Sequence, residues 1–226
     1  VVAADTPLAD AAREFAALGA QVQAVQADLA TTQGVQHLIE AIGEQPVDAL
    51  LANAGHGLGG SFLAQDWEDV LHVINTNVVG TVHLVQQVAR GMVARARGRI
   101  LITGSAAGLH PGSFEAVYAA SKAFIDSFAL ALREELRGTE VTVSCLMPGP
   151  TETEFFERAD MLDTRVGRMP KADPARVARI GFDAMLKGEA DVVAGWINKV
   201  SAVASRVAPR VAAKVHRKVA EPRGQA

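Results

Sequence analysis

The chain predicts an α/β fold, a doubly wound parallel sheet in a single domain, on three observations. Short apolar runs rich in β-branched residues alternate with longer stretches of helical periodicity, the pattern of strands joined by crossover helices. Runs such as Arg99-Ile-Leu-Ile-Thr103 have the length and composition of buried parallel strands. The 226 residues, 49% of them apolar, suffice for one domain with a sizeable core.

The elements follow in order. Val1 to Ala4 reads as the end of a strand. Leu8 to Leu18 is Ala-rich and helical, and Gly19 is its stop signal. Gln21 to Gln26 alternates like a strand, and Thr31 to Ile42 is helical with Thr31 or Thr32 as N-cap. Val47 to Ala52 is a strand that ends at Asn53-Ala54-Gly55. Asp66 to about Arg95 reads as one long helix. The strand Arg99 to Thr103, a helix from about Glu115 to Arg137, and the strand Val141 to Met147 complete the core. Residues 150–172 are irregular and rich in charge, Met and Pro. The folded domain is expected over 1–195, followed by a tail over 196–226. From Lys199 onward that tail holds seven Lys/Arg and one Glu. Its Val200, Val203, Val207, Val211 and Val215 recur at roughly helical spacing. Such a segment packs on its own acidic body, on a partner subunit or on an anionic membrane surface, and the first is favoured.

Composition excludes several classes. A net charge of −3 gives no indication of a nucleic-acid partner. Cys145, the one cysteine, lies in an apolar strand; no disulfide framework is possible, and a cytoplasmic location is expected. No apolar run reaches membrane-spanning length, and no signal peptide is visible. The six histidines form no metal-binding motif, His37 and Glu40 being a lone pair on a helix face. Gly104-Ser-Ala-Ala-Gly108 is not the turn that exposes a hydrolase serine.

The chemistry-bearing residues converge on one place. Ser105 ends the strand Arg99 to Thr103 and faces the crevice where open α/β sheets bind ligands. Tyr118 and Lys122 follow at helical i, i+4 spacing and share a face. A lysine ammonium about 4 Å from a phenol, at an effective dielectric near 20, favours the phenolate by roughly 4 kcal/mol. That is roughly three pKa units, which brings Tyr118 toward working pH as an acid/base.

On these residues the chain resembles the short-chain dehydrogenase/reductases, which move hydride between a nicotinamide cofactor and a carbonyl or alcohol. The resemblance runs from about Val1 to about Gly195 and implies a Rossmann-like sheet. It implies Ser105, Tyr118 and Lys122 as catalytic, with Lys122 also on the nicotinamide ribose. Asn77, in Asn75-Thr-Asn77-Val-Val-Gly80, is similar to the helix asparagine that completes the family's catalytic tetrad, with Asn75 as its rival. Asp28-Leu29 resembles the family's adenine contact, and Asn53-Ala54-Gly55 its turn beside the cofactor. In Pro148-Gly149-Pro-Thr151-Glu-Thr153, the resemblance puts a threonine on the nicotinamide carboxamide; spacing favours Thr153 over Thr151. The family's first strand and Gly-rich turn, a unit of roughly thirty residues, have no counterpart, so the chain reads as incomplete at its N-terminus.

The expected function is therefore an NAD(P)-dependent oxidoreductase acting on a secondary alcohol or ketone. The other reading is a truncated, non-catalytic relative that binds no dinucleotide. Asp5, at the end of a strand, suits the ribose 2′-hydroxyl of NAD and favours NAD over NADP; it is also placed to cap a helix beginning near Pro7. Phe62, Leu109, Phe114, Phe155, Phe156 and Met161 suggest an apolar substrate, or ordinary packing of a lid. The resemblance implies a homodimer or homotetramer built through the helices at 66–95 and 115–137.

Overall fold

The computed structural model describes residues 1–6, 8–193 and 209–222. Its strands are β1 (Val2–Ala4), β2 (Ala24–Gln26), β3 (Ala49–Ala52), β4 (Gly98–Thr103), β5 (Val141–Met147) and β6 (Asp191–Val193). Its helices are α1 (Ala9–Ala17), α2 (Thr32–Ile42), α3 (Trp67–Ile74), α4 (Thr81–Ala94) and α5 (Ala116–Glu135). After β5 come the short α6 (Phe155–Arg158) and α7 (Arg165–Arg168), then α8 (Pro174–Lys187) and, near the end, α9 (Pro209–Ala220). Every ladder is parallel. The expected parallel α/β architecture is present, divided into two sheets: β1-β2 and β3-β4-β5-β6.

Side-chain alternation along the strands explains the layering. Ile100 and Ile102 of β4, with Val141, Val143, Cys145 and Met147 of β5, bury against α2, α4 and α5 through residues such as Val35, Val85, Met92 and Ile125. The intervening Leu101 and Leu146 point the other way and bury against Val177 and Met185 of α8. Each such side chain, fully buried, contributes about 1.5–3 kcal/mol. α8 begins at an Asp173 cap with Pro174 in its first turn and ends at Gly188, left-handed at φ 66°. Thr31 caps α2 by accepting from the Gly34 amide at 2.9 Å.

Three differences from the sequence expectations bear on the site. The helix expected over 66–95 is present from Trp67 to Ala94, but a π-helical turn spans Asn75–Gly80 between α3 and α4. Such insertions recur at functional sites, because they turn one residue off the α-helical face. Pro7 lies outside the described residues, but α1 starts from Leu8 with no side-chain cap, so Asp5 does not cap it. Of the tail valines, Val200, Val203 and Val207 lie outside the described residues, as does the 195/196 boundary. The described part, α9, packs on the protein's own body. His216 Nε2 lies 3.1 Å from Glu115 Oε2, and Ser113 Oγ donates to the Ala213 carbonyl at 3.0 Å.

Candidate active site

β4 and β5 end side by side, and their loops meet above the sheet. The Ala106 amide donates to the Pro148 carbonyl at 2.8 Å, which ties the Pro148-Gly149 turn to Ser105. α5 crosses beneath this junction. Phe114 precedes it with φ 63°, a strained conformation for a bulky residue, and so turns the chain sharply into the helix.

The structure brings the four expected catalytic residues together. The Tyr118 hydroxyl donates to Ser105 Oγ at 3.3 Å, and Ser105 Oγ also accepts from the Ala107 amide at 3.1 Å. Lys122 lies one turn along α5 and donates from Nζ to the Thr103 carbonyl at 2.9 Å. Asn77, on the π-helical turn, is almost wholly buried and clasps the His56 backbone. Its Oδ1 accepts from the His56 amide at 3.0 Å, and its Nδ2 donates to the His56 carbonyl at 2.9 Å and to Ser121 Oγ at 3.0 Å. Asn75 is only half-buried. A side chain at Gly55 would begin 2.9 Å from Asn77 Oδ1 and 3.3 Å from Lys122 Nζ, so turn, amide and ammonium are in mutual contact range.

One electrostatic expectation fails in this geometry. Lys122 does not bring the phenol toward neutral pH. Burial pushes the Tyr118 phenol well above its ordinary value; the Ser105 hydrogen bond opposes this, and Glu115 and Asp126 add to it. The cause is the burial of the phenol at this junction. Lys122 is itself pulled down to about 8 by burial, with Asp126 acting against the fall. Burial thus favours the protonated form of Tyr118.

The expected cofactor contacts line the carboxyl ends of the strands. Asn53 Oδ1 accepts from Thr103 Oγ1 at 2.9 Å, which fixes the turn with Ala54 and Gly55 to the end of β4. Asp28 Oδ1 accepts from the Ala30 amide at 2.9 Å and lies 4.0 Å from His72 Nε2. His72 in turn contacts His56 at 2.7 Å, which links the end of β2 to the end of β3. Leu29 is buried, and Asp5 is exposed just beyond β1, its carbonyl accepting from Gln26. Thr151 is half-buried, its hydroxyl donating to the Gly149 carbonyl at 2.9 Å. Thr153 is exposed, its hydroxyl accepting from the Phe155 amide at 3.3 Å. This donor set fits the nicotinamide-ribose part of a dinucleotide: an ammonium and a phenol for ribose hydroxyls, with carboxamide and threonine groups beside them. Among the described residues no cluster of three or more His, Cys, Asp or Glu could hold a metal.

The apolar residues separate into two roles. Phe156 and Met161 bury with Ala159 as the core of the segment after β5, so they are packing. Phe155 covers Tyr118, ring centroids 5.1 Å apart. Phe62 and Phe114, with Ser61, Ser113, Ala116 and Arg217, line a cleft of about 430 Å³ at the start of α5. Tyr118 is not among its walls. Sequence reasoning named Phe155 only as a general wall and missed Asp126, whose signal was its place one turn beyond Lys122 on the same face.

Comparison with known proteins gives the family. A family described as short chain dehydrogenase matches residues 1–161. An uncharacterized oxidoreductase of Myxococcus xanthus is 31% identical over 87% of this chain and 76% of its own length. Human 17-beta-hydroxysteroid dehydrogenase type 1 is 36% identical over 66% of this chain, and the match spans 45% of the human protein. Among solved structures, a short-chain dehydrogenase from Sphingobium yanoikuyae in complex with NADPH superposes with a TM-score of 0.76. It is 25% identical and covers 96% of this chain and 82% of its own. No described helix is long and apolar enough to cross a membrane. The family match over most of the chain and the shared fold place this protein among the short-chain dehydrogenases, a family of oxidoreductases.

Proposed function

We propose that this protein is an NAD(P)-dependent oxidoreductase of apolar secondary alcohols or ketones, with Tyr118 as its acid/base. The observation that carries this reading is the Tyr118–Ser105 hydrogen bond at 3.3 Å with Lys122 one turn along the same helix. When bound, the nicotinamide supplies or accepts the hydride. Ser105 holds the substrate oxygen by its hydroxyl. The Tyr118 phenol gives its proton to that oxygen as a carbonyl is reduced, becoming phenolate, and the phenolate takes a proton from the alcohol in the reverse direction. Lys122 and Tyr118 hold ribose hydroxyls, and Asn77 fixes the turn that carries Gly55 and His56. Thr151 or Thr153 meets the carboxamide, and Asp28-Leu29 the adenine. The comparisons give no support to a non-catalytic relative. Exposed Val79, Val93, Phe124 and Leu130 on or beside α4 and α5 support association into dimers or tetramers through these helices.

The test follows nicotinamide absorbance with NAD(H) and NADP(H) against a 17-hydroxysteroid, 1-phenylethanol, 3-hydroxybutyrate and the matching ketones. Turnover of the steroid or the aromatic pair above the hydroxy acid is expected. No turnover of any member with either cofactor would remove the reading.

Cofactor choice is a separate expectation. The exposed carboxylate of Asp5 repels a 2′-phosphate and accepts from a 2′-hydroxyl. The protein is expected to show a higher kcat/KM with NADH than with NADPH, and Asp5→Ala to narrow the ratio. Preference for NADPH, or an unchanged ratio in Asp5→Ala, would overturn the assignment of Asp5.

A further inference from the structure

We propose that Asp126 is a positioning residue of this site: its buried carboxylate fixes the Ser105 backbone and favours the charge on Lys122, one turn away on the same face of α5. The inference rests on the reading of Ser105, Tyr118 and Lys122 given above.

Asp126 continues the face of α5 that carries Tyr118 and Lys122, each one turn from the next. It is 5% exposed in the middle of a helix, where a lone carboxylate is costly without partners. Its Oδ1 accepts from the Ser105 amide at 3.2 Å and from the Cys145 thiol at 3.7 Å. Oδ2 is buried without a hydrogen-bond partner. Two glycines make the room. A Cβ at Gly104 would sit 1.8 Å from Oδ1, and one at Gly108 would sit 2.4 Å from Oδ2. The two glycines of Gly104-Ser-Ala-Ala-Gly108 thus bracket the carboxylate, and the residue held between them is the one that meets the phenol.

The charges around it are few. Lys122 and Tyr118 face it from its own helix and Cys145 from β5; Glu115, at the start of α5, acts on the phenol as well. Burial pushes the Asp126 carboxyl up to about 6, while the Ser105 amide, Lys122 and the Cys145 thiol oppose the rise. Burial pulls Lys122 down to about 8, and Asp126 opposes that fall. The carboxylate and the ammonium thus each favour the other's charged form. The Cys145 thiol is pushed far up and stays protonated as a donor. A purely packing role would need none of this, and an asparagine would serve as well.

The test reads ionisation directly and needs no substrate. In the intact protein, NMR would follow the Ser105 amide and the Lys122 Cε resonance against pH, with Lys122→Arg to assign the latter. The Ser105 amide is expected to inflect with the Asp126 carboxyl near 6. In Asp126→Asn, which keeps an acceptor for that amide, this inflection should vanish. The Lys122 midpoint should then fall by about one pH unit, as loss of a nearby opposite charge requires. A Ser105 amide that is flat through the Asp126 titration overturns the proposal in the wild type alone, even if the variant fails to fold. An unmoved Lys122 midpoint in a folded Asp126→Asn overturns it too. Failure of Tyr118 as acid/base would appear in turnover and leave these titrations unchanged, so the two readings fail separately.

Discussion

Replacing Tyr118 by phenylalanine is expected to lower kcat at least about a thousandfold while cofactor still binds. The substitution is close to a single-atom change. The ring keeps its place against Phe155 and its burial at the junction of β4 and β5. Only the hydroxyl that donates to Ser105 Oγ is removed, and that oxygen keeps its bond from the Ala107 amide. Folding should therefore lose only about 1 kcal/mol, the net worth of an ordinary buried hydrogen bond. Turnover loses the proton itself. Steady-state kcat beside a cofactor Kd measured by nicotinamide fluorescence separates the two effects. A variant with near-normal kcat would sink the assigned acid/base. A variant that loses both kcat and cofactor binding would show that the hydroxyl acts first as a ribose contact.

The parts of this site that were legible in the sequence are those set by local geometry. Tyr118 and Lys122 are four apart on a helix, and no fold can turn them to opposite faces. Ser105 and Asn53 each follow an apolar strand, and parallel pairing of β3 with β4 brings those ends together, as the Thr103–Asn53 bond shows. What was not legible depends on contacts between distant segments. The burial of the Tyr118 phenol is one such outcome, and it works against the phenolate that a distance-only argument expects. The cover of Phe155 over Tyr118 is another, set by how the segment after β5 folds back. The docking of α9 on Ser113 and Glu115 joins residues about a hundred positions apart. The π-helical turn between α3 and α4 was hidden for a different reason. The sequence over 66–95 keeps helical periodicity throughout, and a π-helical turn changes the hydrogen bonding without interrupting the hydrophobic pattern.

That turn makes Gly80→Ala the second large effect expected, and its sign runs against helix propensity. In an exposed helix, glycine to alanine stabilises by about 1 kcal/mol. At Gly80 a Cβ would stand 1.9 Å from the Leu29 carbonyl oxygen and 3.3 Å from that of Asn75, and both neighbours are backbone. Neither can rotate aside, so either the π-helical turn or the segment after β2 must move. Overpacking of this kind costs roughly 1–3 kcal/mol, and a backbone-on-backbone clash belongs at the upper end. The net expectation is a loss of about 2 kcal/mol, a fall in Tm of roughly 4–8 °C for a chain of this size. Gly91→Ala in α4 is the control, because its nearest obstacle is the end of the flexible Arg95 side chain at 3.1 Å. It should hold or raise Tm. The two segments forced apart in Gly80→Ala carry Asn77 on one side and Asp28-Leu29 on the other. Cofactor affinity should therefore fall in Gly80→Ala at temperatures where the variant is fully folded, and not in Gly91→Ala. Equal Tm and equal affinity for the two variants would show that the approach of Gly80 to Leu29 has no part in holding the π-helical turn or the cofactor side of the site.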